Sequence, residues 1–215
     1  PTLLPEQTIK HELVDIVVKG QGDNSFTEIV EALQEGKSLK NIKGIYYKEN
    51  GKIVATECRP FEDFNNTHPM PYHLLENIDK YIITDWYGNR MLSYMSSFGC
   101  PQKCTFCAEN TMSSGRWKAL SPERMVQEIK QLVEKYNLDG IQFYDSNFFT
   151  HEERTRRICQ GLIDSGLRIK WGNANGSGKI LQRYKPETWE IMRQAGCSEI
   201  LVGAESGDDE ILQFL

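Results

Sequence analysis

The sequence predicts an α/β fold in which a partial parallel (β/α) barrel follows a smaller α/β domain. Over residues 91–215, four short apolar segments alternate with four amphipathic segments, the pattern of successive strand and helix units. Helix start and stop residues separate these segments. Polar residues follow each predicted strand, at the end where parallel barrels carry their chemistry. We therefore expect one mouth, built from the carboxyl ends of the strands, to hold the functional groups.

Residues 1–58 are predicted to form the smaller domain. Gly20 and Gly22 mark a turn between an apolar strand and an amphipathic helix, and Asn50-Gly51 favours a tight hairpin between two later strands. The predicted elements are, in order, a strand at 14–18, a helix that ends at Gly36, and strands at 42–48 and 52–56.

Residues 59–90 are predicted to link the two domains. Three prolines interrupt regular structure in this stretch: Pro60, Pro69 and Pro71. Two histidines also lie here, His68 and His73, and we expect them to be surface or packing residues rather than metal ligands.

The barrel elements are predicted in the same way, from apolar period, caps and breakers. In order they are a strand at 91–98, a helix capped by Ser121, a strand at 138–144, a helix at 151–165, a strand at 168–172, a helix from Pro186 to Gly196, a strand at 199–203, and a helix from Asp208. Four parallel strands do not close a barrel. We therefore expect a longer native protein, and we expect this chain alone to turn over no substrate.

Three cysteines fall within eight positions in the pattern C-x3-C-x2-C: Cys100, Cys104 and Cys107. Three thiolates on one loop can hold three irons of a 4Fe-4S cluster and leave the fourth iron open to a substrate. A cluster that serves only electron transfer normally has four protein ligands. The spacing therefore predicts an open cluster, with these cysteines as its only protein ligands.

Two other interpretations of the cysteines stay open, a zinc-stabilised binding module and an electron-transfer module. Either would need a fourth ligand. The candidates are Cys58, Cys159, Cys197, His11, His68, His73 and His151, none of which lies in a second nearby pair. Cys159 and Cys197 fall within or at the end of apolar helix patterns, which favours buried packing. A disulfide framework is not expected from six cysteines in 215 residues.

With Pro101 after the first cysteine and Phe106 before the last, the loop resembles the cluster loop of the radical S-adenosylmethionine enzymes. The resemblance implies that the open iron binds S-adenosylmethionine and that the reduced cluster cleaves it to a 5′-deoxyadenosyl radical, which then modifies a small molecule. It also implies an electron donor, either a reductase or a flavodoxin or ferredoxin. Phe106 is expected to lie beside the cofactors.

The same resemblance implies which strand ends contact S-adenosylmethionine. Asp145 and Ser146, after the second strand, are expected to hold the methionine amino group. Glu205 and Ser206, after the fourth strand, are expected to face the ribose, and Asn173 is a candidate for either contact. No catalytic group beyond the cluster ligands is expected.

A second resemblance rests on a succession of short segments ahead of the loop. These are Pro1-Thr2-Leu3-Leu4-Pro5-Glu6, the apolar strand followed by Gly20-Gln21-Gly22-Asp23, Gly44-Ile45, Asn50-Gly51-Lys52-Ile53, and Arg59-Pro60. The order is similar to the C-terminal part of the Rossmann-like cobalamin-binding domain, with its linker, in the cobalamin-dependent branch of the radical enzymes. It implies cobalamin in the full-length protein, and methyl transfer, ring formation or rearrangement as the outcome. The axial-histidine motif D-x-H-x-x-G does not occur in this sequence, so this chain cannot ligate cobalt in that way.

The charge and hydropathy of the chain limit the classes of partner that it could bind. The net charge is -5 and the isoelectric point is about 5.5, so there is no basic footprint for nucleic acid. The one local basic cluster, Arg154, Arg156 and Arg157, is expected on a solvated helix face. No apolar run is long enough to span a membrane. We expect a cytoplasmic protein that acts on a small molecule.

Overall fold

The computed structural model describes residues 1–214. Its N-terminal part contains, in order, α1 (Pro5–Ile9), β1 (Ile16–Val18), α2 (Asp23–Gln34), β2 (Ile45–Glu49) and β3 (Lys52–Ala55). The three strands form one antiparallel sheet in the order β1-β2-β3. Asn50 and Gly51 both have positive φ, 50° and 74°, which confirms the predicted tight hairpin. One small apolar cluster holds this part together, with Ile29 of α2 packed on Ile45 of β2.

The segment predicted to be a linker is packed rather than extended. It contains three short 3-10 helices within the described chain, at Phe64–Asn66, Tyr72–Leu74 and Ile78–Tyr81. Arg59 donates from Nε to Ser25 Oγ at 2.8 Å, which ties the segment to the N-terminal part. At the other end Phe64 is buried in the larger core, and Asn65 Oδ1 accepts from the backbone N–H of Ser121 at 2.8 Å.

The larger part follows. Its elements are β4 (Ile83–Asp85), β5 (Gly88–Tyr94), β6 (Ser97–Gly99), α3 (Ala108–Ser113), β7 (Trp117–Ala119), α4 (Pro122–Tyr136), β8 (Gly140–Phe143), α5 (Glu152–Asp164), β9 (Lys170–Gly172), β10 (Ala174–Asn175), α6 (Gly178–Leu181), α7 (Pro186–Gln194), β11 (Ile200–Leu201) and α8 (Asp209–Phe214). Both β4 and the start of β5 fall inside the predicted 59–90 linker. The three-way division of the chain stays a prediction, and its last residue, Leu215, lies outside the described residues.

The parallel sheet is the frame on which the site is built. Strand β8 pairs in parallel with β5 on one side and with β9 on the other, while β10 pairs in parallel with β11. Helices α4 and α5 pack against the outer face of the sheet, where Ile129 and Ile158 join Ile141 and Phe143 in one buried core. Burial of such side chains contributes about 1.5–3 kcal/mol each, so this core holds the successive units in register. The predicted partial parallel barrel is confirmed.

The structure corrects the first predicted strand, 91–98. The strand ends at Tyr94, and Ser97–Gly99 instead forms the separate strand β6, which pairs antiparallel with β7. The chain turns there because Ser96 and Ser97 are buried and donate hydrogen bonds to Asp145, beyond the end of β8, whereas Met95 is exposed. The cysteine loop therefore leaves a short ribbon rather than the main sheet.

Two further strands are shorter than predicted. The third predicted strand, 168–172, is regular over Lys170–Gly172, and the chain continues as β10 after a break at Asn173, whose φ of 54° is left-handed. The fourth, 199–203, is regular only over Ile200–Leu201. Strands β4 and β7 and helices α3 and α6 were not predicted, because their three to six residues are too short to show a period.

Over residues 1–214, no helix has both the length and the apolar character needed to cross a membrane.

Candidate functional site

The three cysteines lie on one loop between β6 and α3. Cys100 directly follows β6, and Cys107 occupies the N-cap position of α3. A turn joins the last two, in which the Cys107 N–H donates to the Cys104 carbonyl at 3.2 Å. All three thiols are free, and Cys107 is exposed. The loop thus presents unpaired thiols at the surface, as a metal site requires.

Gly99 fixes how the chain enters this loop. Its φ is 87°, and a Cβ on it would lie 2.2 Å from the carbonyl oxygen of Arg116. No side chain fits in that space, so β6 approaches β7 closely only because position 99 is glycine. The direction in which Cys100 leaves β6 follows from this contact.

The donor set fits an iron–sulfur cluster. In the described part of the chain, no three side chains from His, Cys, Asp and Glu converge in the manner required to bind a single metal ion. The ligands of a cluster bind different irons, so they need not converge on one point, and thiolates are the ligands that clusters use. The loop therefore suits a cluster held by Cys100, Cys104 and Cys107.

Two of the other three cysteines are placed for packing. Cys159 is buried in α5, and burial raises the pKa of its thiol to about 12. Burial likewise raises the pKa of the Cys197 thiol to about 12. The predicted buried packing is confirmed for Cys159, and Cys197, which is partly buried, packs against the same core. Cys58 is exposed before the linker segment, and His68 and His73 are exposed within it.

Asp145, two residues after the end of β8, is fully buried and hydrogen-bonded. Its Oδ2 accepts from the backbone N–H of Ser96 at 3.1 Å, and its Oδ1 accepts from Ser96 Oγ at 2.7 Å and from Ser97 Oγ. Burial raises the pKa of this carboxyl, although the serine hydrogen bonds and the charge of Arg154 oppose that shift. The carboxylate therefore fastens β8 to the start of β6. Its contact with S-adenosylmethionine stays a prediction, and this inward orientation differs from the open position that we expected.

Arg154 corrects the expectation of a solvated basic face on α5. Its guanidinium turns inward, where Nε donates to the Leu120 carbonyl at 3.1 Å and Nη2 donates to Ser96 Oγ at 3.0 Å. It also lies over the rings of Trp117 and Phe148, with 5.6 Å from Cζ to each ring centroid. Ser96 thus bridges a buried cation and a buried anion, which offsets part of the cost of burying both charges.

The next two residues after Asp145 also contact the cysteine loop and the helix that follows it. Ser146 Oγ donates to Glu109 Oε2 at 3.0 Å, and Asn147 Nδ2 donates to Cys100 Sγ at 3.6 Å. Among the described residues, Glu109 Oε1 and Asn147 Oδ1 are buried acceptors that receive no hydrogen bond. The tripeptide after β8 therefore lines the loop, and it leaves two acceptors there for a ligand with N–H donors.

The other predicted site residues are placed differently. Asn173 uses its side-chain amide to donate to the Phe143 carbonyl at 3.0 Å, so it supports the end of β8. Phe106 is 56% exposed on the loop, and Glu205 is exposed beyond β11 with a left-handed φ of 60°. Ser206 Oγ accepts from the backbone N–H of Asp208 at 3.0 Å, a local turn bond. The structure thus brings Asp145, Ser146 and the cysteine loop together, while Glu205 and Ser206 make only local contacts in the described chain.

Sequence reasoning missed several residues of this site. They are Ser96, Ser97, Glu109 and Arg154. Asn147 was expected among the polar residues after the second barrel strand, but without a specific role. The only signal in the sequence is proximity, since each lies within a few residues of a predicted ligand or helix start. Proximity does not reveal that an arginine turns inward, because that depends on the packing of α5 over β6.

A family model described as the radical SAM superfamily matches residues 94–215. Over 215 residues the chain is 33% identical to an uncharacterized methyltransferase, PH0819, of Pyrococcus horikoshii; the match covers 100% of this chain and 45% of that protein. It is 24% identical to the bacteriochlorophyllide d C-12(1)-methyltransferase of Chlorobaculum tepidum, covering 100% of this chain and 42% of the relative.

Solved structures share the fold. The cobalamin-dependent S-adenosylmethionine radical enzyme OxsB, solved with aqua-cobalamin and S-adenosylmethionine bound, matches with a TM-score of 0.79 at 22% identity, over 99% of this chain and 31% of that one. The radical S-adenosylmethionine methyltransferase TsrM from Kitasatospora setae, with cobalamin and a [4Fe-4S] cluster bound, matches with a TM-score of 0.78 at 17% identity, over 98% of this chain and 42% of that one. This chain therefore spans less than half the length of these proteins.

Proposed function

Because this chain belongs to the radical S-adenosylmethionine superfamily, we propose that its protein reductively cleaves S-adenosylmethionine to a 5′-deoxyadenosyl radical and uses it to modify a small molecule. The cysteine loop carries this proposal. Three free thiols on one loop, with no fourth cysteine on that loop, are the donor set of a cluster with one open iron.

The chain's own residues would hold and orient the cofactors. Cys100, Cys104 and Cys107 would ligate three irons, and the bound cluster would supply the electron. Glu109 Oε1 and Asn147 Oδ1 are buried acceptors that receive no hydrogen bond from the described residues, so they would suit the amino group of S-adenosylmethionine. Ser146 would orient Glu109 through the hydrogen bond between them.

We further propose methyl transfer as the outcome, with cobalamin as a cofactor of the full-length protein. Support comes from the methyltransferase relatives and from the two cobalamin-containing structures with the same fold. In this chain the turn before α2 is open, since a Cβ on Gly20 would meet nothing within 4 Å. No axial-histidine motif is present in the sequence, so the residues here would support cobalamin without ligating cobalt.

The partners follow from the chemistry. An electron donor would be required, a reductase or a flavodoxin or ferredoxin, and we propose that the protein acts in the cytoplasm, where such donors occur. The substrate would be a small molecule rather than a nucleic acid, because the chain has a net charge of -5. Ring formation is a second outcome, favoured by 21% identity to an anaerobic magnesium-protoporphyrin IX monomethyl ester cyclase of a Synechocystis strain.

Single replacements of the six cysteines test the cluster assignment. We expect Cys100→Ala, Cys104→Ala and Cys107→Ala each to abolish the iron–sulfur charge-transfer absorbance and the iron content of anaerobically reconstituted protein. Cys58→Ala, Cys159→Ala and Cys197→Ala are the matched controls and should retain both. If one of the controls also lost its iron, a fourth cysteine would be a ligand and the electron-transfer alternative would gain support. Colourless protein that binds zinc would support the binding-module alternative.

The outcome of the reaction is tested with methyl-labelled S-adenosylmethionine, reductant and cobalamin. Methyl transfer predicts label in a product other than methionine, together with 5′-deoxyadenosine. Formation of 5′-deoxyadenosine with all label retained in methionine would favour ring formation instead.

A further inference from the structure

The Asn147 side chain, beyond the end of β8, contacts a cysteine sulfur of the cluster loop. Its Nδ2 lies 3.6 Å from Cys100 Sγ and donates to it, and the residue is only 2% exposed. We propose that Asn147 is a positioning residue whose N–H···S hydrogen bond raises the reduction potential of the cluster bound at Cys100. The inference rests on the proposed cluster function and adds a residue that tunes it.

The backbone of Asn147 is fixed from several sides. Its carbonyl accepts from Trp117 Nε1 at 3.1 Å and from Thr150 Oγ1 at 3.1 Å. The next residue, Phe148, donates its N–H to the Asn175 carbonyl at 2.9 Å and packs in the core. Because the backbone is fixed and the residue is buried, the side-chain amide of Asn147 is held beside Cys100.

The orientation of the amide follows from its neighbours. If the Asn147 amide were reversed, its oxygen would face Cys100 Sγ, and two acceptors would oppose each other. Sulfur of a ligating thiolate carries more negative charge than that of a thiol, so the hydrogen bond strengthens when a cluster is bound. The N–H group therefore faces the sulfur, and Oδ1 faces away from it.

The effect on the cluster has a definite sign. Reduction adds one electron to the cluster, and part of that charge resides on the cysteine sulfurs. A hydrogen bond to one of these sulfurs stabilises the reduced form more than the oxidised form, and hydrogen bonds to sulfur are among the factors that set cluster potentials. Asn147 therefore makes the cluster easier to reduce, which suits an enzyme that must receive an electron before it cleaves its cofactor.

The test compares midpoint potentials of the reconstituted clusters, measured by electron paramagnetic resonance during a redox titration. Asn147→Leu removes the donor without adding charge, and Asn147→Asp replaces it with an oxygen of similar shape. We expect the potential to become more negative in Asn147→Leu, and further so in Asn147→Asp because of the added negative charge. Asn175→Leu is the matched control, because its amide also lies at this strand end but donates to the Asp145 carbonyl at 3.2 Å.

The outcomes separate the two proposals. A potential in Asn147→Leu equal to that of Asn175→Leu, or more positive, would overturn the tuning role while leaving the cluster function intact. Loss of the cluster from both Asn147 variants would also overturn it, because the amide would then be required for assembly rather than tuning. Absence of a cluster from the unaltered protein would overturn the proposed function itself.

Discussion

Beyond the ends of strands β8 and β11 the chain carries an acidic residue followed by serine, Asp145-Ser146 and Glu205-Ser206, yet the two acidic side chains have opposite environments. Asp145 is fully buried, and both its oxygens accept hydrogen bonds from Ser96 or Ser97. Glu205 is exposed and lies in a left-handed turn. An acidic residue followed by serine thus anchors the cysteine loop at the first position, whereas at the second position it makes only local contacts within the described residues.

The position of each strand in the sheet explains the difference. Strand β8 lies between β5 and β9 and also contacts β10, so its end is surrounded by neighbouring strands. Within residues 1–214, strand β11 pairs only with β10, over two residue pairs. An acidic side chain at a central strand end is desolvated and requires donors, whereas one at an edge keeps its water. The identity of the residue is a weaker guide to its role than its neighbours are.

The largest difference in the free energy of unfolding should come from substituting one glycine beside the cysteine loop, Gly99, and one beside Glu205, Gly207. Gly99→Ala places a Cβ 2.2 Å from the Arg116 carbonyl in a backbone with φ of 87°, so the strand β6 must shift. We expect the free energy of unfolding to fall by about 3 kcal/mol or more. Denaturant unfolding under anaerobic, reducing conditions measures it, and iron content after reconstitution should fall in parallel.

Gly207→Ala is the matched control for that substitution, because a Cβ there would meet nothing within 4 Å. Its stability should be unchanged or raised by up to about 1 kcal/mol. Equal losses in both variants would contradict the view that the cysteine-loop side is the tightly packed one.

Removal of the Asp145 or the Glu205 carboxylate should give the next largest difference in the free energy of unfolding. Asp145→Ala leaves the buried donors of Ser96 and Ser97 without acceptors, so we expect a loss of about 2–3 kcal/mol in the free energy of unfolding. Glu205→Ala should change it by less than about 0.5 kcal/mol.

Equilibrium binding of S-adenosylmethionine to the same two reconstituted variants gives the second measurement. Normal stability of Asp145→Ala with weakened cofactor binding would show that the carboxylate serves the ligand directly, as the sequence suggested. Reduced stability and reduced iron content would show that it acts by holding β6.

The smallest expected effect on stability concerns the left-handed backbone of Glu205. Glu205 has a φ of 60°, a region that costs a non-glycine residue about 1 kcal/mol, so Glu205→Gly should raise stability by up to about that amount. Ala204→Gly is the control, since Ala204 has no positive φ, and it should be neutral or slightly destabilising. Weaker binding of S-adenosylmethionine to Glu205→Gly, despite unchanged or raised stability, would support the predicted ribose contact.

Much of the fold could be predicted from the sequence because it depends on local periodicity. The helices over 122–136 and 152–164 follow from caps and apolar spacing, and the core strands follow from short apolar runs. The split of the first strand could not be predicted, since residues 91–98 are uniformly compatible with one strand. It depends on Asp145, which lies about fifty residues later in the chain.

The sequence by itself determined the cysteine spacing, the order of the βα units and the side of the sheet on which the chemistry lies, because these follow from residue type and period. Only the tertiary structure decided which polar side chains serve the loop. Asp145, Asn147 and Arg154 reach Ser96 or Cys100 across 47 to 58 residues of chain, contacts that form when β8 and α5 pack against β6. Their roles are set by burial and by the need to satisfy charges and donors without water, which is a property of the packed protein and not of the local sequence.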